Sequence, residues 1–235
     1  MQVNLPFLKS INKYHVATFI TLLFHVSGCI GMFTSYRQWF INNTPLNLVI
    51  VFILVLITHV KNVAFFGFMV LCFVTGMVVE MIGVKTGVLF GDYQYGSVLG
   101  PSILNVPWLI GLNWFIVVYC SGVVVNLFHN WLKTKYEAEG RMLSPAVMNG
   151  SFVMDAALLT TFFDWLMEPV AVKLGFWQWN GTGEIPWLNY VCWFVISSLL
   201  LAVFRRLRFN KENLFAVHLF IIQLLFFGAL RTFLQ

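Results

Sequence analysis

Acidic residues are rare in this 235-residue sequence, and several of them are placed where they could move protons. Asp164 and Glu168 are four residues apart, so on a helix they share one face. Glu80 ends another apolar stretch, and Asp92 and Glu184 follow in two loops rich in aromatic residues. Carboxyl groups in or beside such apolar stretches are costly to accommodate, which makes all five candidates for function.

Aromatic side chains flank these acids along the chain. Tyr93 and Tyr95 follow Glu80, and Trp177 and Trp179 follow Glu168. A carboxylic acid that stays protonated in an apolar site can act as a general acid, and an aromatic face stabilises a nearby cation by about 0.5–2 kcal/mol. Together these groups have the properties needed to protonate an alkene. A membrane-dissolved isoprenoid is the alkene that would reach them.

The same motifs occur twice in the same order, which indicates an internal repeat. The predicted repeat units are 63–128 and 146–204. Because the two units have the same orientation in the membrane, we expect a pseudo-two-fold axis along the membrane normal and a functional site at the interface between the units. The alternative is that the motifs are independent anchors at the membrane interface. The matching pairs are Glu80 with Glu168, Gly87 with Gly175, Tyr93-Gln94-Tyr95 with Trp177-Gln178-Trp179, Pro107-Trp108-Leu109 with Pro186-Trp187-Leu188, and Trp114-Phe115 with Trp193-Phe194.

The amino-acid composition indicates that transmembrane helices position these residues. The chain is 60% hydrophobic and 10% charged, with a mean hydropathy of +0.83, which excludes a soluble globule. We expect an all-α, polytopic membrane helix bundle that forms one domain over 1–235. About seven transmembrane helices are predicted, of which the second is the shortest: 14–33, 46–60, 63–83, 107–128, 146–168, 187–204 and 214–232.

The basic residues predict the orientation, because cytoplasmic loops carry most Lys and Arg. With the N-terminus inside and the C-terminus outside, ten of the fourteen fall inside, and we expect a prokaryotic cytoplasmic membrane as the location. The net charge of +5 therefore reflects orientation and not a nucleic-acid partner. The inner set is Lys9, Lys13, Lys61, Lys133, Lys135, Arg141, Arg205, Arg206, Arg208 and Lys211; the outer set is Arg37, Lys85, Lys173 and Arg231.

Each candidate acid also has a structural interpretation. Glu80 or Glu168 could reach water or pair with Lys85 or Lys173, and loop acids such as Asp92 often cap turns. Asp155, deeper in the fifth predicted span, could form a hydrogen bond that only holds two helices together. Most of the tryptophans could likewise form an aromatic belt at the interface.

Several kinds of chemistry lack sequence support. The histidines and cysteines show no spacing typical of a metal site, and no nucleotide-binding or serine-hydrolase motif is present. We therefore expect neither a metal nor a cofactor.

Two stretches carry the most specific motifs. One runs from Glu80 to Trp114 and contains Gly83-Val84-Lys85-Thr86-Gly87, Phe90-Gly91-Asp92-Tyr93-Gln94-Tyr95 and Gly100-Pro101; the other runs from Asp164 to Trp193. They resemble the carotenoid 1,2-hydratase family of cofactor-independent membrane enzymes, of the bisanhydrobacterioruberin hydratase and γ-carotene hydratase types. The resemblance covers about half of the chain, roughly 76–115 and 151–194. One departure is Glu168-Pro169, where the family often has Asp-Pro.

The resemblance implies that water adds to the terminal 1,2 double bond of an acyclic carotenoid such as lycopene, γ-carotene or a C50 precursor. The proton donor and the base would then come from Glu80, Asp164 and Glu168, with Asp92 as a further catalytic candidate. The substrate, its cation and the water would contact Tyr93, Tyr95, Trp177, Trp179, Asn113, Trp114, Asn189 and Trp193.

Two other functions fit parts of this pattern. A membrane lycopene cyclase shares the protonation step, but an internal double bond captures the cation in place of water. A small-solute transporter is consistent with the repeat. Acids that cluster at one interface favour an enzyme over a transport pathway.

Overall fold

The computed structural model describes residues 12–142, 144–181 and 183–234, within which the chain forms eight helices and four short strands. The helices are α1 (Lys13–Gly31), α2 (Arg37–Asn42), α3 (Thr44–Thr58), α4 (Val63–Thr86), α5 (Leu109–Ala138), α6 (Pro145–Lys173), α7 (Trp187–Arg206) and α8 (Leu214–Phe233). The strands are β1 (Tyr93–Tyr95), β2 (Ser102–Ile103), β3 (Val106–Pro107) and β4 (Trp177–Trp179). The predicted all-α polytopic bundle is confirmed.

Six of the described helices, α1 and α4 to α8, are long and apolar enough to cross a membrane. The remaining apolar helix, α3, has 15 residues, a length of roughly 22 Å against a hydrocarbon core of about 30 Å. Its ends nevertheless lie at opposite ends of the bundle. Lys13 Nζ at the start of α1 donates to Ile57 O at 3.2 Å, whereas Thr44 lines a cavity together with Met32, just beyond the end of α1. These contacts support α3 as the short span that the sequence predicts.

Helix α5 forms the centre of the bundle. It packs against α3, α4, α6, α7 and α8, and 89% of its most apolar window is buried, because it is apolar on all sides. Around it, the outward faces of the other helices carry exposed apolar side chains, such as Phe19, Val70 and Leu199, that suit contact with lipid. The polar groups of interest lie at the end of α5 where the four strands are found, here called the strand end.

The two aromatic motifs pair with each other at the strand end. Strands β1 and β4 are antiparallel, with Tyr93 opposite Trp179, Gln94 opposite Gln178 and Tyr95 opposite Trp177. The two glutamines thus face each other at the centre, as a pseudo-two-fold axis between the repeat units would require. This register supports the proposed internal repeat, and it brings the loop after α4 against the loop after α6.

Orientation in the membrane is our first testable prediction. We expect a reporter fused after Gln235, which like Lys9 lies outside the described residues, to read as extracytoplasmic. A reporter inserted at the exposed Gly140, between α5 and α6, should read as cytoplasmic. Alkaline phosphatase and green fluorescent protein fusions would measure this. The reverse pattern would place the strand end in the cytoplasm and refute the orientation.

Candidate active site

A small cavity lies at the strand end, bounded by α4, α5, α6 and α7 and capped by β1 and β4. The fold brings eleven of the twelve predicted site residues to its wall. They are Glu80, Asp164 and Glu168, the aromatic residues Tyr93, Tyr95, Trp114, Trp177, Trp179 and Trp193, and the amides Asn113 and Asn189. The chain segments that supply them are far apart in sequence, so the cavity depends on the pairing of the two aromatic loops.

Glu80 is buried in α4 and accepts three side-chain hydrogen bonds. Tyr95 Oη donates at 2.7 Å and Trp114 Nε1 at 2.9 Å, and Tyr93 Oη donates to the same carboxyl group. An ionised carboxylate only accepts hydrogen bonds, so a shell of three donors matches a fixed anion. The arrangement holds the Glu80 carboxylate in one position.

Tyr93 and Tyr95 act as donors in this arrangement. Burial, together with the neighbouring Glu80 carboxylate, raises the pKa of both phenols well above the ordinary value. Neither tyrosine is therefore ionised at neutral pH, and both keep the proton that they donate to Glu80.

Glu168 is fixed by indole groups. Trp177 Nε1 and Trp179 Nε1 donate to its Oε2 atom at 3.0 and 3.1 Å, and both tryptophans come from β4. Pro169, the next residue, lies inside α6 and cannot donate the helical hydrogen bond to Trp165 O. Arg231 of α8 donates to that carbonyl and stacks over the Trp165 ring at 3.6 Å. The helix thus continues past Glu168 without an unpaired carbonyl.

Asp164 differs from both glutamates because it has a single donor. Its Oδ2 atom accepts from Asn189 Nδ2 at 2.7 Å, and its Oδ1 atom has no hydrogen-bond partner among the described residues. The side chain is fully buried and lies one helical turn before Glu168. Asp164 therefore has one oxygen left for a substrate or a water.

The Asp164–Asn189 pair exists in only one of the two proposed repeat units. Four residues before Glu80 the chain has Gly76, where the second unit has Asp164, and four before Trp114 it has Ile110, where the second unit has Asn189. A Cβ at Gly76 would come within 2.5 Å of the Trp114 side chain, so the glycine makes room for that ring. The cavity is thus symmetric in its glutamates and aromatic residues but asymmetric in this polar pair.

Two equivalent tryptophans form a flat wall beside these acids. Trp114 and Trp193 stack with ring centroids 3.9 Å apart and an interplanar angle of 3°. Both rings are buried. Of the tryptophans that could form an interfacial belt, the exposed Trp39, Trp165 and Trp187 fit that role, whereas the cavity tryptophans do not.

The other candidate acids lie outside the cavity. Asp92 is exposed and accepts from Asn180 Nδ2 at 2.8 Å, a contact within the paired loops. Glu184 is also exposed, and Asp155 is half-exposed with its Oδ2 2.7 Å from His129 Nε2 of α5. These positions match the structural interpretations of a loop acid and a helix-packing acid.

The lysines do not neutralise the cavity glutamates. Lys173 Nζ donates to Leu234 O at 2.8 Å, and the ion pairs found among the described residues include neither Glu80 nor Glu168. Both carboxyl groups therefore depend on neutral tyrosine and tryptophan donors.

A second, larger cavity adjoins the first. The two share Ile110, Asn113, Met167 and Trp177, and the second extends between α1, α3 and α8. A third cavity shares Met32, Thr44, Asn47 and Phe226 with it and reaches exposed side chains of α1 and α2. We call the second and third cavities together the apolar channel. Because neighbouring cavities share lining residues, the channel lies between the cavity that holds the acids and the exposed side chains of α1 and α2.

Sequence reasoning missed two groups of residues. Phe90, Ile110 and Met167 line the first cavity, but isolated apolar residues give no signal in an apolar chain. His25 and Gln223 line the channel, and polar side chains inside apolar spans were a signal that could have found them.

Comparisons with known proteins identify the family of this chain. Residues 44–234 match the family described as carotenoid biosynthesis protein. The chain is also 30% identical over 132 residues to the bisanhydrobacterioruberin hydratase of Haloarcula japonica, an alignment that covers 54% of this chain and 40% of that relative's length. No solved structure matches. Because the family match covers most of the chain, this membrane protein belongs to the carotenoid biosynthesis protein family.

Proposed function

We propose that this protein adds water to the terminal 1,2 double bond of an acyclic carotenoid end, giving a tertiary alcohol. The observation that carries the proposal is the cavity in which Asp164, with one free oxygen, lies beside two carboxyl groups that are each held by several donors. Water addition leaves the overall oxidation state unchanged, so the reaction requires no electron carrier. The relative's name, a hydratase, supports this reaction class.

Asp164 is the proposed proton donor. Hydrogen bonds to a carboxylate favour its charged form, and Asp164 receives fewer than either Glu80 or Glu168. Its proton goes to the methine carbon of the terminal double bond, and the π-electron pair forms the new C–H bond. The adjacent carbon becomes a tertiary cation.

The aromatic wall and Glu80 stabilise this cation. The stacked Trp114 and Trp193 present π surfaces, and Glu80 supplies a fixed negative charge that needs no reorganisation when the cation forms. A buried site strengthens both effects because bulk water is excluded.

Water then completes the reaction. The water oxygen bonds to the cation and releases a proton to Glu168, while Asn189 and Asn113 orient the water. Glu168 lies one turn from Asp164, so the proton returns to Asp164 and restores the site. The sum is one alkene and one water converted to one alcohol.

The apolar channel suits the rest of the substrate. Its wall is mainly apolar and aromatic, and it joins the cavity at Ile110, Asn113, Met167 and Trp177. Lycopene, γ-carotene or a longer C50 carotenoid would place its reactive end at the acids and its polyene in the channel or the adjoining lipid. The proposed partners are this substrate, water and the bilayer.

Expression in hosts that accumulate lycopene or γ-carotene tests the proposal. We expect a pigment heavier by the mass of one water, detected by chromatography with mass spectrometry. An isomer of unchanged mass would indicate cyclisation, in which an internal double bond captures the cation. Unchanged pigment in both hosts, with the protein present in the membrane, would contradict the proposal.

A further inference from the structure

Polar side chains line parts of the apolar channel, outside the group of acids. His25 of α1, Asn47 of α3 and Gln223 of α8 all line its larger cavity. Most of the surrounding wall is apolar, and no Asp, Glu, Lys or Arg of the described residues lines this cavity. Buried polar groups are costly unless they are hydrogen-bonded, so these three side chains require an explanation.

The hydrogen bonding of His25 determines which ring nitrogen is free. Its Nδ1 atom lies 2.8 Å from Thr21 O within α1. A carbonyl oxygen only accepts, so in the neutral ring Nδ1 carries the proton and Nε2 is an acceptor. His25 therefore adds an acceptor, not a donor, to the buried polar groups of the channel.

The two amides add further acceptors. Asn47 Oδ1 and Gln223 Oε1 are buried atoms with no hydrogen-bond partner among the described residues. Gln223 is only 6% exposed, and His25 only 5%. Three acceptor atoms and the NH₂ groups of the two amides thus belong to one uncharged, apolar cavity, and the group that complements them is uncharged and can both donate and accept hydrogen bonds. An O–H group meets that requirement.

We propose that His25, Asn47 and Gln223 form a second binding site, the acceptor site, which holds an O–H group in the apolar channel. The O–H group is either a water that feeds the hydration or a hydroxyl on a bound isoprenoid. This inference rests on the proposed function, since it takes the channel as the substrate's path. The channel shares Asn113 and Trp177 with the candidate active site, so the acceptor site belongs to a cavity that adjoins the active site.

The test compares two variants with a matched control. Gln223→Leu and Asn47→Leu each remove an acceptor and keep most of the side-chain volume. Thr18→Val is the control, because Thr18 Oγ1 lies 2.8 Å from His218 Nδ1 and also joins α1 to α8, but outside the channel. The proteins are reconstituted in lipid nanodiscs, and lycopene hydration is measured with and without competitors. The competitors are geraniol, farnesol and geranylgeraniol, each paired with the hydrocarbon of the same length.

The outcomes separate the two sources of the O–H group. If the site holds water, kcat for lycopene falls about 3- to 10-fold in both Leu variants but not in Thr18→Val, and the alcohols compete no better than their hydrocarbons. If it holds a hydroxyl, one alcohol length competes about 3- to 10-fold better than its hydrocarbon in the wild type and loses this advantage in the variants. Unchanged kinetics and competition in both variants would overturn the proposal.

Failure of the proposed function gives a different result. If the wild-type protein does not hydrate lycopene, the acceptor site is judged from binding alone. Quenching of tryptophan fluorescence reports it, since Trp177 lies in the channel wall. An alcohol advantage in wild-type binding that Gln223→Leu removes would support the acceptor site, and no advantage at any length would refute it.

Discussion

Replacing Asp164 with Asn should lower the rate of carotenoid hydration by about 10²–10⁴-fold, the usual effect of removing a general acid. Asn has nearly the same shape, but it has no proton to give to a carbon atom. Asn189, the donor to Asp164 Oδ2, can still donate to an amide oxygen, so the local contact is retained. Rates would be measured in nanodiscs with lycopene, and protein levels in the membrane by immunoblot.

Asp155→Asn is the matched control, because it makes the same chemical change in the same helix. Asp155 is half-exposed and contacts His129, far from the cavity. We expect its turnover to stay within about twofold of the wild type, as for surface substitutions in general. If Asp164→Asn hydrates as fast as Asp155→Asn, Asp164 is not the proton donor and the role passes to Glu168 or Glu80.

The position of the acids shows what the sequence could predict. The spacing of Asp164 and Glu168 placed them on one face of a helix, and the duplicated motifs placed Glu80 near Glu168. Both inferences depend only on helical geometry and repetition, which are local properties. The structure brings all three carboxyl groups to one cavity.

The functions of the aromatic side chains could not be predicted in the same way. Their rings suggested a lining for a cation, but Tyr95, Trp177 and Trp179 also donate hydrogen bonds to the glutamates. Each of those contacts joins a helix to the loop that follows it, 9 to 15 residues along the chain, and depends on a loop conformation that residue spacing does not predict. Asp92 shows the same limit, since its loop position looked equivalent to the others although its side chain turns to Asn180.

The apolar channel could not be predicted from the sequence, for a different reason. The first, second and last predicted spans carry no motif, so only their hydrophobicity could be used in the prediction. The channel arises because α1, α3 and α8 leave a space next to α5 and α6, a property of tertiary packing. His25 and Gln223 are visible in the sequence, but only the structure shows that they face the same cavity.

The second large effect is expected at the two glutamates. Glu80→Gln should lower kcat by about 10²–10³-fold with little change in KM, because a preorganised charge is lost that acts only when the cation forms. Glu168→Gln should cost about 10²–10⁴-fold, because the base that accepts the water proton is lost. Both are measured as steady-state hydration of lycopene in nanodiscs.

The local contacts at Glu80 require a second variant to separate charge from stability. In Glu80→Gln the new amide NH₂ group can face a donor, Tyr93, Tyr95 or Trp114, and a clash between donors costs stability. Tyr95→Phe removes one donor and keeps the charge, so we expect a smaller loss of about 10-fold. Glu137→Gln, at the exposed end of α5 where Glu137 lies 3.6 Å from Lys133, should leave turnover nearly intact. Glu80 and Glu168 would be structural anchors and not part of the chemistry if both Gln variants hydrated lycopene as fast as Glu137→Gln.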